Sequence, residues 1–189
     1  MFIIGLTGTL GSGKGTVVDY LTQKYHFEHL SATVFITEEI IRRNLPVDRD
    51  NMRIVADDLR RIYGPWYIIE QLYVQAVQSG KNSVIESVRA VGELEFLKKH
   101  PHVSLRAVDA NSRIRYQRIA QRNGVKDNVS FEYFLKQEAN ESNNTNPNEM
   151  NLPACMAMSD YHLTNNETKE ELRKQVDAIM WQLNVNSKL

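Results

Sequence analysis

The sequence predicts an α/β fold in three layers, a parallel sheet of five strands with helices on both faces. Short β-branched runs alternate along the chain with longer stretches at helical spacing. Three of the runs are almost continuously apolar, as strands covered on both faces must be. The first run opens directly into a glycine-rich turn and a helical stretch, the start of a βαβ unit.

The strands are placed at Phe2–Leu6, Phe27–Ser31, Ser83–Ser87, Val103–Asp109 and Tyr161–Asn165. Helices are expected near Gly13–Tyr25, Val34–Asn44, Asp50–Tyr63 and Pro65–Ser79, then Gly92–Lys99, Ser112–Gln121, Ser130–Asn140 and Lys169–Leu183. The last is the clearest, because Leu172, Val176, Ile179, Met180 and Leu183 share one face at helical spacing and suit it to pack on the sheet. From Asn140 to Asn151 six of the twelve residues are Asn and Pro147 interrupts, so a polar loop within the domain is expected. No internal repeat is present.

A length of 189 residues and 42% hydrophobic composition suit one domain, residues 1–189, whose core needs no covalent staples. Cys155 is the only cysteine, so no internal disulfide can form; a reducing compartment fits, and zinc lacks its thiolates. Lys and Arg number 23 and Asp and Glu 23, so the global positive field that nucleic-acid binding draws on is missing. Any anion site is therefore local. The apolar start, Met1 to Leu6, has no basic flank and is too short for a signal peptide, and no stretch reaches the roughly 20 apolar residues of a membrane span. A cytoplasmic protein without membrane or nucleic-acid partners is expected, and matches such as Asn140-Glu141-Ser142 to the glycosylation pattern are incidental.

Chemistry concentrates in Gly8-Thr9-Leu10-Gly11-Ser12-Gly13-Lys14-Gly15-Thr16. Gly8, Gly13 and Lys14 match the Walker spacing; with Gly11 and Gly15, between a strand and a helix, chance accounts for fewer than about one chain in a thousand. Backbone N–H groups that must turn inward around phosphate oxygens need small residues free to take positive φ, and the following helix adds its N-terminal dipole. Lys14 is then expected to reach the β- and γ-phosphates. A hydroxyl usually follows that lysine directly, whereas here Gly15 intervenes and the hydroxyl belongs to Thr16.

In this form the loop resembles that of adenylate kinases, and the chain is similar to the nucleoside monophosphate kinase family of P-loop kinases. The resemblance implies ATP and Mg²⁺, small-molecule nucleotide substrates and Thr16 near the metal or the phosphates; a monomer or homodimer is expected. Family members carry an Asp-Gly-x-x-Arg segment or similar after a buried strand. Here Ser83-Val84-Ile85-Glu86-Ser87-Val88-Arg89 takes its place, so Glu86 orders the Mg²⁺ shell or serves as base and Arg89 grips the acceptor phosphate. Arg118-Ile119-Ala120-Gln121-Arg122 resembles the start of the family lid, with both arginines directed to the nucleotide and a short lid over about residues 118–130. Arg113 and Arg115, just before, read as charges on the helix surface. Ser159 to Thr168 resembles the terminal segment of dephospho-coenzyme A kinases, where the turn at Asn165 and Asn166 would border the adenine or simply make the turn.

The acceptor region of such kinases corresponds to residues 33–80 here, but the arginine usual after the second strand is missing from Ser31 to Glu39. Arg42, Arg43, Arg49 or Arg53 would have to replace it; each of Arg42, Arg43, Arg49, Arg60 and Arg61 taken alone reads as a solvated helix charge, but at least one is expected to point inward. Phe35, Tyr63, Trp66, Tyr67 and Tyr73 fall in the same region; most are expected to pack, with a ring left for stacking on a base. Leu59 to Pro65 also resembles a segment of archaeal kinase-like proteins and of stretches attached to deoxycytidylate deaminases, whose zinc signature is absent here. Two alternatives stay open: a kinase acting on dephospho-coenzyme A or another small alcohol or phosphate, and a nucleotide-binding regulatory module without turnover.

Overall fold

The computed structural model describes residues 1–121, 130–140, 142, 144, 146 and 149–183. Strand β1 (Ile3–Gly8) leads to α1 (Lys14–Tyr25) and β2 (Glu28–Ser31); α2 (Ala32–Arg42), α3 (Arg49–Tyr63) and α4 (Tyr67–Ser79) precede β3 (Ser83–Glu86). The second half runs α5 (Val91–Lys98), β4 (Val103–Asp109), α6 (Ser112–Ala120), α7 (Phe131–Asn140), α8 (Leu152–Ala157), β5 (Tyr161–Thr164) and α9 (Lys169–Gln182). All five strands are parallel, in the order β2-β3-β1-β4-β5, as a three-layer α/β/α fold requires.

Strand β1 is central and wholly buried, which explains its unbroken apolar start. Alternate residues enter different layers. Ile3, Ile85 and Leu105 pack with α2 to α5 and with Cys155 of α8, whereas Ile4, Leu6, Val84, Val108 and Leu163 pack with α1 and α9. The face expected on the last helix is the buried one, with Leu172, Val176, Ile179 and Met180 in that second layer. Helix starts follow local chemistry: Ser31, Asp48 and Thr168 accept from backbone N–H groups at the openings of α2, α3 and α9.

Element ends shift from expectation by one or two residues, and two differences bear on the site. Strand β1 continues through Thr7 and Gly8, because both stay paired with β4, opposite Ala107 and Val108. Helix α8 had no sequence signal, being six residues long with Pro153 in its first turn. It forms because the Asn151 side chain caps it through the Ala154 N–H and because Leu152 and Cys155 are buried. Burial, with the negative charge of Glu93 nearby, pushes the Cys155 thiol up to about 12. No helix among the described residues is long and apolar enough to cross a membrane.

Of the arginines that read singly as solvated charges, Arg60 is one that points inward. Its side chain is 2% exposed and pairs at 2.9 Å with Glu93, which is fully buried. The other Glu93 oxygen accepts the backbone N–H groups of Arg89 and Ala90, at 2.8 and 3.1 Å. One carboxylate thus ties α3 to the segment after β3. Glu93→Gln removes the counter-charge of a buried guanidinium and is expected to cost about 3 kcal/mol, read as a lower urea midpoint at unchanged slope.

Candidate functional site

Parallel register brings the C-terminal ends of the strands to one edge, where Leu6 and Ser31 flank Glu86, Gly8 lies opposite Val108, and Asp109 lies opposite Thr164. The loop from Thr9 to Gly13 leaves β1 at this edge and enters α1. Gly8, Gly11 and Gly13 all hold positive φ, 143°, 76° and 103°. At Gly8 a Cβ would lie 2.1 Å from the Val108 carbonyl oxygen, so glycine is required by space as well as by conformation.

Side chains hold the carbonyls of this loop. Lys14 Nζ donates to the carbonyls of Gly8 at 2.8 Å and Thr9 at 3.0 Å. Arg115 donates to Leu10 O at 3.3 Å, and Asn165 Nδ2 to Ser12 O at 2.7 Å. A trans peptide points its C=O and N–H in opposite directions, so Leu10 and Ser12 carbonyls engaged by α6 and by the end of β5 turn the N–H groups of Gly11 and Gly13 the other way. The Thr9 hydroxyl donates to Asp109 at 2.6 Å, fastening the loop to β4 as well. Gly15 differs from the other glycines: its φ is not positive, and a Cβ there would meet nothing within 4 Å. It leaves space beside Lys14.

Glu86 ends β3 with its carboxylate hydrogen-bonded to His29 Nε2 at 3.0 Å. Burial alone would raise its pKa, but the His29 hydrogen bond and the charges of Lys14, His29 and Arg89 bring it below the ordinary value. Ser87 follows in a left-handed conformation, φ 71°, rare for a side-chain-bearing residue. The Ser87 and Val88 N–H groups both donate to Leu6 O, which turns the chain out of the sheet toward Arg89.

Arg89 lines a cavity of about 810 Å³ between α2, α3, α7 and this turn, with Leu10 of the loop in its wall. Arg49, Arg53 and Arg60 line it too, beside Asp50 and Asp57. Burial raises the Asp57 carboxyl, against the lowering charges of Arg60 and Arg53. Arg42 and Arg43 instead pair with Glu39 and, for Arg43, Asp58, and neither lines the cavity. None of the five aromatic residues lines it either. Tyr67 packs on Phe35 and Tyr63, and Tyr73 on Phe96 and His100, so four of the five rings are engaged with other rings, while Trp66 is 40% exposed.

Arg118 donates to the Asn165 carbonyl at 2.9 Å, beside the phosphate loop. Arg122 and most of the expected lid lie outside the described residues. Asn166 Oδ1 accepts the Asn111 N–H at 2.7 Å and so joins the turn after β5 to the start of α6. Arg115 is not the surface charge expected: it is buried under the loop. Nothing in local periodicity distinguishes it from Arg113, since its burial comes from α7, distant in sequence.

Two outcomes follow from this geometry. Gly15→Ala is expected to leave the melting temperature unchanged or slightly raised, because alanine favours the helix by up to about 1 kcal/mol, yet to weaken ADP binding measured by calorimetry. The depressed Glu86 pKa adds stability that is complete above the unfolded carboxyl range, near about 4.3, and is lost as pH falls through the folded value. His29→Ala raises the folded value and should shrink that acid-side loss, seen in urea midpoints collected from pH 3 to 6.

Comparison with known proteins agrees with this architecture. The model of the AAA domain family matches residues 4–143, most of the chain. UPF0200 proteins are similar along almost their whole length: 23% identity to that of Methanococcus vannielii, covering 98% of both chains, and 28% to that of Pyrobaculum aerophilum, covering 96% of this chain and 98% of the other. Among solved structures, TT1252 from Thermus thermophilus superposes with a TM-score of 0.59 at 20% identity, covering 96% and 97% of the two chains. A gluconokinase from Sinorhizobium meliloti gives 0.58 at 12%, covering 99% and 95%. Shikimate kinase from Acinetobacter baumannii, in complex with shikimate, gives 0.58 at 15%, covering 97% and 94%. These likenesses show the fold of P-loop kinases, and the protein belongs to the AAA domain family.

Proposed function

We propose that this protein is an ATP-dependent phosphotransferase that moves the γ-phosphoryl group to a (deoxy)nucleoside monophosphate bound in the cavity beside the phosphate loop. The observation that carries the proposal is the meeting of the loop held by Lys14, Arg115 and Asn165 with a cavity that shares Leu10 with it and is lined by Arg49, Arg53, Arg60 and Arg89 among the carboxylates of Asp50, Asp57 and Glu149. Charge stabilisation and positioning are what phosphoryl transfer asks of a protein. The acceptor oxygen attacks the γ-phosphorus, the bond to the β–γ bridging oxygen breaks, and ADP leaves.

In this reading Gly8, Gly11, Ser12, Gly13, Gly15 and Thr16 enclose the triphosphate and Lys14 neutralises it. Arg89 grips the acceptor phosphate. Arg118 and Arg122 stabilise charge on the transferring group, and Asn166 lies near the adenine. The Thr16 hydroxyl and the Glu86 carboxylate are oxygen donors of the kind a hard cation takes, so they fit Mg²⁺, which when bound would neutralise phosphate charge. Residues 33–80, which include most of α2 and all of α3 and α4, form the acceptor region of one domain spanning residues 1–189.

A second acceptor class has its own support. Since no aromatic ring among the described residues lines the cavity, its wall suits a non-aromatic anionic alcohol as well as a base, and dephospho-coenzyme A also offers an alcohol. The gluconokinase and shikimate kinase that share the fold are by name kinases of such compounds.

Incubation with ATP and Mg²⁺ against the common nucleoside monophosphates, dephospho-coenzyme A, gluconate and shikimate, followed by ADP release, separates these classes. Lys14→Ala is expected to reduce turnover at least about a hundredfold, and Arg89→Ala to raise the acceptor KM about tenfold or more, with ATP KM little changed. ADP binding without turnover on any acceptor would favour a regulatory nucleotide-binding module.

A further inference from the structure

The Arg115 guanidinium joins three parts of the chain that are far apart in sequence. Its Nε donates to Ala110 O at 2.7 Å in the turn between β4 and α6. Its Nη1 reaches Leu10 O at 3.3 Å in the phosphate loop. Both terminal nitrogens face the Glu138 carboxylate of α7, Nη2 at 3.1 Å from Oε2 and Nη1 against Oε1. The guanidinium lies over the Phe134 ring, 5.4 Å from its centre, and Asp109, which holds Thr9, is 3.7 Å from Nε. Arg115 is 6% exposed, so these groups replace its water.

The neighbour of Glu138 on α7, Ala139, lines the acceptor cavity. One buried cation therefore touches the loop that would carry phosphates and the helix that borders the acceptor. A buried guanidinium keeps one orientation only while its counter-charge is in place. Without Glu138, Arg115 would turn toward Asp109 or solvent, and the Leu10 carbonyl would lose its donor. That carbonyl sets the direction of the Gly11 N–H, because the two belong to one peptide plane.

We infer that Arg115 is a positioning residue, held by Glu138, which sets the Leu10–Gly11 peptide for phosphate binding and thereby makes the order of α7 depend on occupancy of the loop. The inference rests on the nucleotide-binding part of the proposed function and is independent of the acceptor. Glu138 is on the outer helix and is only partly buried, so Glu138→Gln keeps the packing and removes the charge. Arg115→Lys keeps the charge and loses the forked reach to both Leu10 and Ala110.

The test pairs calorimetric ADP binding in Mg²⁺ with hydrogen–deuterium exchange, and needs no turnover. In the unmodified protein ADP is expected to slow exchange both in residues 8–16 and in α7. Each variant is expected to bind ADP about fivefold or more weakly. In Glu138→Gln, at saturating ADP and at a temperature well below its lowered melting point, residues 8–16 should still be protected by ADP while ADP protection of α7 is lost, a decoupling that a purely structural tie would not produce. Indifference of α7 to ADP in the unmodified protein, or unchanged affinity and protection in Glu138→Gln, would overturn the inference. Failure of the unmodified protein to bind ADP at all would overturn the nucleotide reading, and this inference with it.

Discussion

A peptide plane cannot aim its carbonyl and its N–H at the same target, and the site of this protein is organised around that constraint. A loop that offers N–H groups to an anion must dispose of the carbonyls on the other side of the same peptides. Here the donors come from outside the loop: Asn165 at the end of β5 and Arg115 on α6. A glycine-rich segment is permissive in φ, and so has many shapes available. Side chains more than 100 residues away along the chain select one of them.

The sheet supplies the frame for those donors. Parallel register places the ends of β1, β3, β4 and β5 in one row, so residues separated by more than 150 positions, Ser12 and Asn165, come within a hydrogen bond. The cavity beside the loop is braced differently. Glu93 spends one oxygen on the Arg60 side chain and the other on the backbone that carries Arg89, so the wall of the cavity and its arginine move together. Such a carboxylate is costly to bury alone and is kept by having every lone-pair direction used.

How much of this was legible beforehand depended on the range of the physics involved. The phosphate loop was legible because backbone geometry demands glycine at Gly8, Gly11 and Gly13, and the strands because burial on both faces forces apolar runs. The expectation that Glu86 and Arg89 end a buried strand holds for their placement, since β3 ends at Glu86 and the turn at Ser87 presents Arg89 to the cavity. Arg60 and Arg115 were misjudged because a cation on a helix looks solvated until its partner is known, and those partners, Glu93 and Glu138, lie 33 and 23 residues away. The rings of Phe35, Tyr63, Tyr67 and Tyr73 pack on one another or on neighbouring rings, as most were expected to, and none of them lines the cavity. Helix α8 is too short to show a period, and exists through its cap and its contact with the sheet.

The burial of Cys155 has a practical consequence. A thiolate is the reactive form of cysteine, and a thiol held near 12 beneath a closed layer is almost never in that form at neutral pH. The folded chain therefore carries one chemically silent thiol, and its reaction with a maleimide would time the departure of α8 from the sheet. A single natural residue in this way makes the opening of the core countable, molecule by molecule, without any label having to be introduced.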